Sequence, residues 1–328
     1  MAGNEEAGPM TGWTCDECAR RAGKVLRQAV NGAHDGVCPK CGNNGRLLPE
    51  RDWVDMPVLA ASVDSKTRFY PGHANAFGIL PGPEEVGGTC PWATTGCGGC
   101  FNVPEGRKNP TCYAYALMKA YTSCRRRIQE NTDALKGLVC VDDMASALDA
   151  MLSRFEKLTR AYMARNDGVG NALSFRWHWA GDLFSREYAR ALSLAMWRHP
   201  DVRFWSYTRS FNFAHEFAAP NLNLYYSLDD DNWEQGLSWY LRWGDHNRPN
   251  RRIAYMAKSV ESVRRMVRAA EENPGKYLPG DPGSVARWAA SVRIQSCPVD
   301  LGGMPTDGAC VKCMQCIAGG SQLLFFKC

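Results

Sequence analysis

The sequence predicts an α/β protein built on a parallel sheet, with cysteine-rich metal-binding segments at both ends. Three observations carry this. Strand-like apolar runs alternate with amphipathic helical stretches between residues 113 and 295. Two CxxC pairs, Cys15/Cys18 and Cys38/Cys41, lie near the N-terminus. Two further groups of four cysteines, Cys90/Cys97/Cys100/Cys112 and Cys297/Cys310/Cys313/Cys316, bracket the alternating region.

Composition sets the outer limits. The chain has 328 residues, enough for one large domain plus a small appendage. It is 45% hydrophobic and 22% charged, which is ordinary for a globular protein. No run of 18 or more apolar residues occurs, so no membrane span is expected. The N-terminal stretch lacks the basic segment and apolar core of a secretory signal, so the expected location is the cytoplasm. In that compartment 15 cysteines, most in close-spaced groups, point to metal ligation over disulfides. A net charge of +5 permits a nucleic-acid partner without requiring one.

In chain order, residues 1–10 are expected to be disordered, and 11–50 to form a zinc ribbon. There Cys15-Asp-Glu-Cys18 and Cys38-Pro-Lys-Cys41 each present two thiolates to one tetrahedral ion. The stretch Ala19 to Val30 between them reads as a basic helical face. The ribbon is either a structural staple or also a contact for nucleic acid. Residues 51–84 read as a connector, 85–296 as the α/β domain and 297–328 as a cysteine-rich tail. A helix is expected from Tyr113 to Lys136. A second, Met144 to Ala164, carries an apolar stripe of Leu148, Met151, Leu152, Phe155 and Leu158. Strands are expected at Leu173–Trp179, Val202–Tyr207, Leu222–Leu228, Arg252–Met256 and Ala290–Gln295. Helices fall after Ser185, a candidate N-cap, and at Val260–Asn273. Such alternation argues for parallel βαβ units, hence a barrel or a doubly wound sheet.

The first cysteine group sits among Gly87, Gly88, Gly96, Gly98 and Gly99, an irregular loop. Three thiolates on a cubane cluster leave one iron open to a small chelating ligand; four close the site. The sequence leaves open which of the four bind. In the second group, Cys310-x-x-Cys313-x-x-Cys316 has ferredoxin-type spacing and Cys297 completes a set of four; a closed zinc site is the alternative. Cys124, Cys140 and Cys328 show no ligand spacing.

Ligands in parallel α/β folds gather at the carboxyl ends of strands. That edge offers Arg176, His178, Asp182, Thr208, Arg209, Ser227, Asp229, Asp230 and Lys258. Asp182, His178, Arg176 and Asp229 are the catalytic candidates. Against this, His178 between two tryptophans reads equally as a structural histidine, and Asp229-Asp230-Asp231 as a solvated loop. Arg176 needs an acidic partner or an anionic substrate. The tryptophans read as packing or as stacking surfaces for bases, and Arg125–Arg127 and Arg251–Arg252 as solvated faces or phosphate contacts.

A family resemblance rests on several segments in order: Cys90-Pro91, Cys97-x-x-Cys100, Cys112-Tyr113-Ala114, then Arg127 and Asn131, then Arg176 to Ser185 and Phe204 to Ser210. Across residues 85–316 the chain resembles phage proteins with a three-cysteine motif ending in Cys-Tyr-Ala, which in turn look like diverged radical S-adenosylmethionine enzymes. That resemblance implies an incomplete parallel (β/α)6-type barrel, one or two 4Fe-4S clusters, bound S-adenosylmethionine and an external electron donor. It also implies a site in the host cytoplasm. Ala180-Gly181-Asp182 would form the turn that meets the methionine amine. Thr208, Ser210, Ser227 and Asp229 would follow at the next strand ends. The cysteine spacing is six then two residues where the enzymes have three then two, and Asp182 stands where they have Glu. The expected function is radical modification of a nucleic acid or nucleotide. Two rivals are a zinc-containing barrel transglycosylase with Asp182 or Asp229 as nucleophile, and a non-enzymatic, metal-stapled nucleic-acid-binding protein.

Overall fold

The computed structural model describes residues 12–26, 33–92, 112–166, 171–299, 302–320 and 322–327. Residues 1–10, Cys97, Cys100 and the glycines between them fall outside the described residues.

An all-parallel sheet of seven strands organises the chain: β6 (Ala76–Gly78), β7 (Ser174–Ala180), β8 (Arg203–Thr208), β9 (Leu222–Asp229), β10 (Arg251–Ala257), β11 (Ile294–Ser296) and β12 (Leu323–Lys327). Their spatial order is β6-β7-β8-β9-β10-β12-β11. Six strands, β6 to β11, advance in one direction, and right-handed crossovers then place the connecting helices on one face. Those helices are α2 (Tyr113–Ala120), α3 (Thr122–Lys136), α4 (Val141–Met163), α5 (Arg186–Trp197), α6 (Trp233–Arg242), α7 (Val260–Glu272), α8 (Pro274–Tyr277) and α9 (Pro282–Ser291). The step from β11 back to β12 runs the opposite way, so the same handedness sends that connection across the other face. Among the described residues no ladder joins β11 to β6, so the sheet is an open singly wound layer.

Side-chain alternation separates the two faces. Phe204, Leu222, Leu224, Tyr226, Leu228, Ile253 and Leu323 join the main core under the helices. Tyr207, Tyr225, Ala254, Leu324 and Phe326 form a second cluster on the opposite face, which we call the inner face. Leu148, Met151, Leu152 and Phe155 of α4 are buried as expected, whereas Leu158, at the stripe's edge, is 58% exposed. Ser185 caps α5 by accepting from the Tyr188 amide at 3.1 Å.

Several expectations are corrected. The helix drawn over Tyr113–Lys136 is two, because Tyr121 adopts an extended conformation (φ −129°, ψ 102°). Ala290 and Ser291 belong to α9, so β11 begins only at Ile294. The sheet's first strand, β6, lies in the stretch read as a connector, and β12 lies in the tail. Arg251 is no solvated face: it is buried beside Asp245, its Nη2 donating to the Phe217 carbonyl at 2.8 Å.

The N-terminal module has a three-stranded antiparallel sheet, β1 (Trp13–Cys15), β4 (Asn44–Pro49) and β3 (His34–Val37), and a two-stranded pair, β2 (Lys24–Leu26) with β5 (Trp53–Asp55). The basic helix expected from Ala19 is only α1 (Asp16–Arg21), because the chain turns at Gly23 (φ +70°) into β2. The module docks firmly. Val25 joins the main core, and Arg20 pairs with Asp143, a fully buried carboxylate in the first turn of α4 that also accepts from the Leu26 amide.

Candidate metal centres and the carboxyl edge

The four N-terminal cysteines converge into a group able to hold a metal ion. Four thiolates at about 2.3 Å from one tetrahedral ion lie roughly 3.8 Å apart. Here Cys15 Sγ and Cys41 Sγ are 3.7 Å apart, Cys18 Sγ and Cys38 Sγ 3.9 Å, and all four sulfurs lie within 4.8 Å of one another. Burial opposes ionisation of Cys38, but the backbone amides of Cys15, Cys41 and Lys40 outweigh it and bring the thiol down to about 6. The residues fit zinc: four soft thiolates, tetrahedral spacing and no open position.

The first internal group begins where β6 ends. Thr89 bonds back to Leu80, its amide at 2.9 Å and its hydroxyl at 2.7 Å from that carbonyl, and Cys90 follows with its amide on the Gly82 carbonyl at 2.8 Å. The same Thr89 hydroxyl accepts from the Asp182 amide at 3.2 Å, tying this loop to the turn after β7. Gly181 makes that possible: its φ is +77°, and a Cβ there would meet Thr89 Oγ1 at 2.5 Å and the Ile79 carbonyl at 2.7 Å. Cys112, the residue before α2, packs on a small cluster of Ala76, Leu80, Ala114, Met118, Ile128, Trp179 and Ala180. Cys124, read as an ordinary thiol, packs on the same cluster. Asn131 braces this end of the sheet, donating to the Ala60 and Gly78 carbonyls at 3.0 Å each.

Asp182 lies at the centre of the edge and is buried. One carboxylate oxygen accepts from the Leu183 amide (2.8 Å) and the Thr208 hydroxyl (2.7 Å), the other from the amides of Arg209 (2.7 Å) and Ser210 (3.2 Å). Burial pushes its pKa up, and these four donors oppose that. Arg209 then reaches Asp229 at 2.5 Å, and Asp229 also accepts from the amides of Asp231 and Asn232. Asp182, Thr208, Arg209, Ser210 and Asp229 are thus one hydrogen-bonded network clamping the ends of β7, β8 and β9, with Gly181 at its edge. Ser227 stands near its border, its carbonyl 3.4 Å from Asn232 Nδ2.

The other two catalytic candidates lie elsewhere. His178 occupies a β-bulge in β7, where the register against β6 shifts and its own φ is +52°. The bulge turns its ring into the helix-side core, between Tyr188 Oη (3.0 Å) and Ser206 Oγ (3.3 Å). Burial lowers its pKa to about 3, so the ring stays neutral. Arg176 faces the inner side, 2.8 Å from Asp64 and stacked over Trp205 and Tyr207. The acidic partner its burial demands is therefore protein, a residue no local pattern announces.

The C-terminal group occupies the inner face. The segment containing α10 (Ala309–Cys313) and α11 (Gln315–Ala318) lies across β8, β9 and β10. Tyr207 Oη donates to Cys316 Sγ at 2.9 Å, Tyr225 Oη to the Gln315 carbonyl at 3.2 Å, and Asn223 Nδ2 to the Ile317 carbonyl at 2.8 Å. Arg252 reaches the Gly319 carbonyl at 2.5 Å, and the Cys310 amide bonds the Lys66 carbonyl at 3.0 Å. The Cys297 amide is held on the Phe325 carbonyl at 2.8 Å, and the four thiols are near enough to influence one another's ionisation. Burial pushes Cys316 up to about 12, with the Tyr207 hydroxyl opposing. Beyond the ribbon, no three ligand atoms of the described residues converge within 4.8 Å.

A cavity of about 430 Å³ opens at the carboxyl ends of β10, β12 and β11, where the strand order reverses. Lys258, Ser259, Arg264, Ser296 and Phe325 line it, and among the described residues no carboxylate does.

The stretch from β6 through the C-terminal cysteines is also what relatives share: a family model described as Gene product 88 matches residues 60–319. The chain belongs to the Gene product 88 family. The match leaves out the N-terminal ribbon. Among curated relatives, the Gene 88 protein of Mycobacterium phage L5 is 28% identical over 261 residues, covering 77% of this chain and 87% of that protein. The Gene 88 protein of Mycobacterium phage D29 is 30% identical over 164 residues, 49% of this chain and 59% of that protein. No solved structure matches. No helix among the described residues is long and apolar enough to cross a membrane.

Proposed function

We propose that this Gene product 88 family member is an iron–sulfur enzyme of radical S-adenosylmethionine type that modifies a nucleic acid or nucleotide. One observation supports this above the others. The first internal cysteine group leaves the carboxyl end of the leading strand of a singly wound parallel sheet, and Thr89 locks it to the Gly181–Asp182 turn of the next strand. The donor set suits an iron–sulfur cluster: soft thiolates, Cys90 and Cys112 among them, at the edge where parallel sheets hold ligands. When bound there with S-adenosylmethionine, such a cluster supplies one-electron reductive cleavage of the sulfonium to a carbon-centred radical.

The chain's own residues supply position. Asp182 fixes the turn by four hydrogen bonds, so it orients backbone and does not transfer protons. Gly181, with no Cβ, lets Thr89 and Ile79 pack directly against its backbone and so brings the cysteine loop up to the turn. Lys258 and Arg264 give the cavity at the strand reversal a positive lining suited to a phosphate of the substrate. The base-exchange reading is less well supported, since it needs a free carboxylate nucleophile and both Asp182 and Asp229 are already engaged.

The test is anaerobic. Iron-loaded protein reduced with dithionite should convert S-adenosylmethionine to 5′-deoxyadenosine and methionine, and Cys97→Ala should abolish this while leaving the ribbon's zinc in place. Fully iron-loaded protein that forms neither product would refute the reading.

A further inference from the structure

We propose that Cys297, Cys310, Cys313 and Cys316 hold a closed, polynuclear iron–sulfur centre on the inner face of the sheet, and that Tyr207 sets its reduction potential. The inference is independent of radical chemistry at the first cysteine group.

The ribbon serves as an internal standard. Where four of this chain's cysteines have the spacing that suits a single tetrahedral ion, the sulfurs draw within 3.7 and 3.9 Å in pairs and all within 4.8 Å. The C-terminal thiols are near enough to influence one another's ionisation, with Cys316 on the inner face, but no three of their sulfurs converge within 4.8 Å. A cluster in which each thiolate meets its own iron spaces the sulfurs more widely than one ion does. The Cys310-x-x-Cys313-x-x-Cys316 run with a remote Cys297-Pro298 agrees with that donor arrangement.

The surroundings suit a negatively charged cluster. Arg176 lies beside the site, stacked on Trp205 and Tyr207, with Asp64 balancing it. Four thiolate ligands leave no open iron, so the centre carries single electrons. It takes one from a reduced external donor and returns one to an acceptor, with no bond made or broken and no proton moved. Tyr207 Oη donates to Cys316 Sγ at 2.9 Å. A hydrogen bond to a ligating sulfur withdraws charge and favours the reduced state, which raises the potential.

The full-length chain made anaerobically with iron in excess provides the test. A Cys97→Ser/Cys100→Ser variant should still contain about four irons and four sulfides per chain, by ordinary cubane stoichiometry, beside the ribbon zinc. Cys313→Ser/Cys316→Ser in that background should lose them. Tyr207→Phe should keep the iron content and titrate at a lower midpoint potential, followed by absorbance and electron paramagnetic resonance. Zinc or no metal at this group in the Cys97→Ser/Cys100→Ser variant would overturn the centre. An unchanged potential in Tyr207→Phe would overturn the role of Tyr207. If only the first group fails to bind iron, the radical reading falls and this one stands.

Discussion

The ribbon and the C-terminal cysteine segment each bring four thiols together, but by different means. In the ribbon, two knuckles do the work. Cys15 caps α1 by accepting from the Cys18 amide at 3.5 Å, and the Gly42 amide closes the other knuckle on Cys38 at 2.8 Å. Each pair is preset by a few neighbouring residues, and one antiparallel sheet joins the two. In the C-terminal segment nothing local suffices. Its anchors are Asn223, Tyr225, Tyr207 and Arg252, side chains from three separate strands, and its place on the inner face follows from the reversal between β11 and β12. Nearby sequence sets the spacing of the first four thiols; sheet topology sets the placement of the last four.

The sharpest way to break this contrast is Cys38→Ser. Structural zinc supplies folding free energy on the order of 10 kcal/mol in small modules, so zinc should be lost and amide protection should vanish across residues 13–55, with the seven-stranded sheet still protected. Hydrogen exchange with metal analysis reads both; loss of protection throughout the sheet would show that the ribbon is no separable unit.

Next in size is Asp182→Ala. Three amides and a hydroxyl lose their buried acceptor, and at about 1–3 kcal/mol for each buried group left unsatisfied the variant should lose roughly 3 kcal/mol or more. Denaturant midpoints at constant m-value check this.

Arg176→Met compares the two regions through their ion pairs. Asp64, 16% exposed, would lose its partner beside the C-terminal segment; a cost of roughly 3 kcal/mol is expected. Lys24→Ala in the ribbon module removes a pair whose Asp55 is 87% exposed, and about 0–1 kcal/mol should follow. Equal costs would mean that the inner-face pair is as hydrated as the surface one.

Acid should act on the sheet through His178. Its folded pKa, about 3, lies below the ordinary value of 6.5 because burial disfavours the imidazolium. The unfolded chain therefore binds the proton more readily. The stabilisation is whole above pH 6.5 and is lost as pH falls toward 3. His178→Asn, which tolerates the positive φ, should flatten that slope in a series of denaturant midpoints against pH. His73, lowered to about 4 by burial, contributes in the same direction and remains in the variant.

Much of the helical layer was legible from periodicity. Leu148, Met151, Leu152 and Phe155 are buried where a 3.6-residue stripe puts them, and Ser185 caps where expected. The strands β7 to β10 were legible too, because each is an apolar run long enough to stand out. β6 and β12 were not: Ala76–Gly78 is three residues long, and Leu323–Lys327 follows a cysteine-rich loop that masks it. The candidate site divides in the same way. The cysteine groups were visible as spacing. The partners of Arg176, Asp182 and Cys316, namely Asp64, Thr89 with Thr208, and Tyr207, were not, since each lies 26 to 112 residues away.

By itself the sequence determined chemistry set by short-range order: which cysteines pair in knuckles, where amphipathic helices run, and that strands alternate with them. Only the tertiary structure decided which face each group occupies. It turned His178 inward at a bulge, engaged Asp182 from four sides, and drew the last cysteines across the inner face. The physical reason is that these outcomes depend on strand order, crossover handedness and register, quantities carried by contacts between residues far apart in the chain.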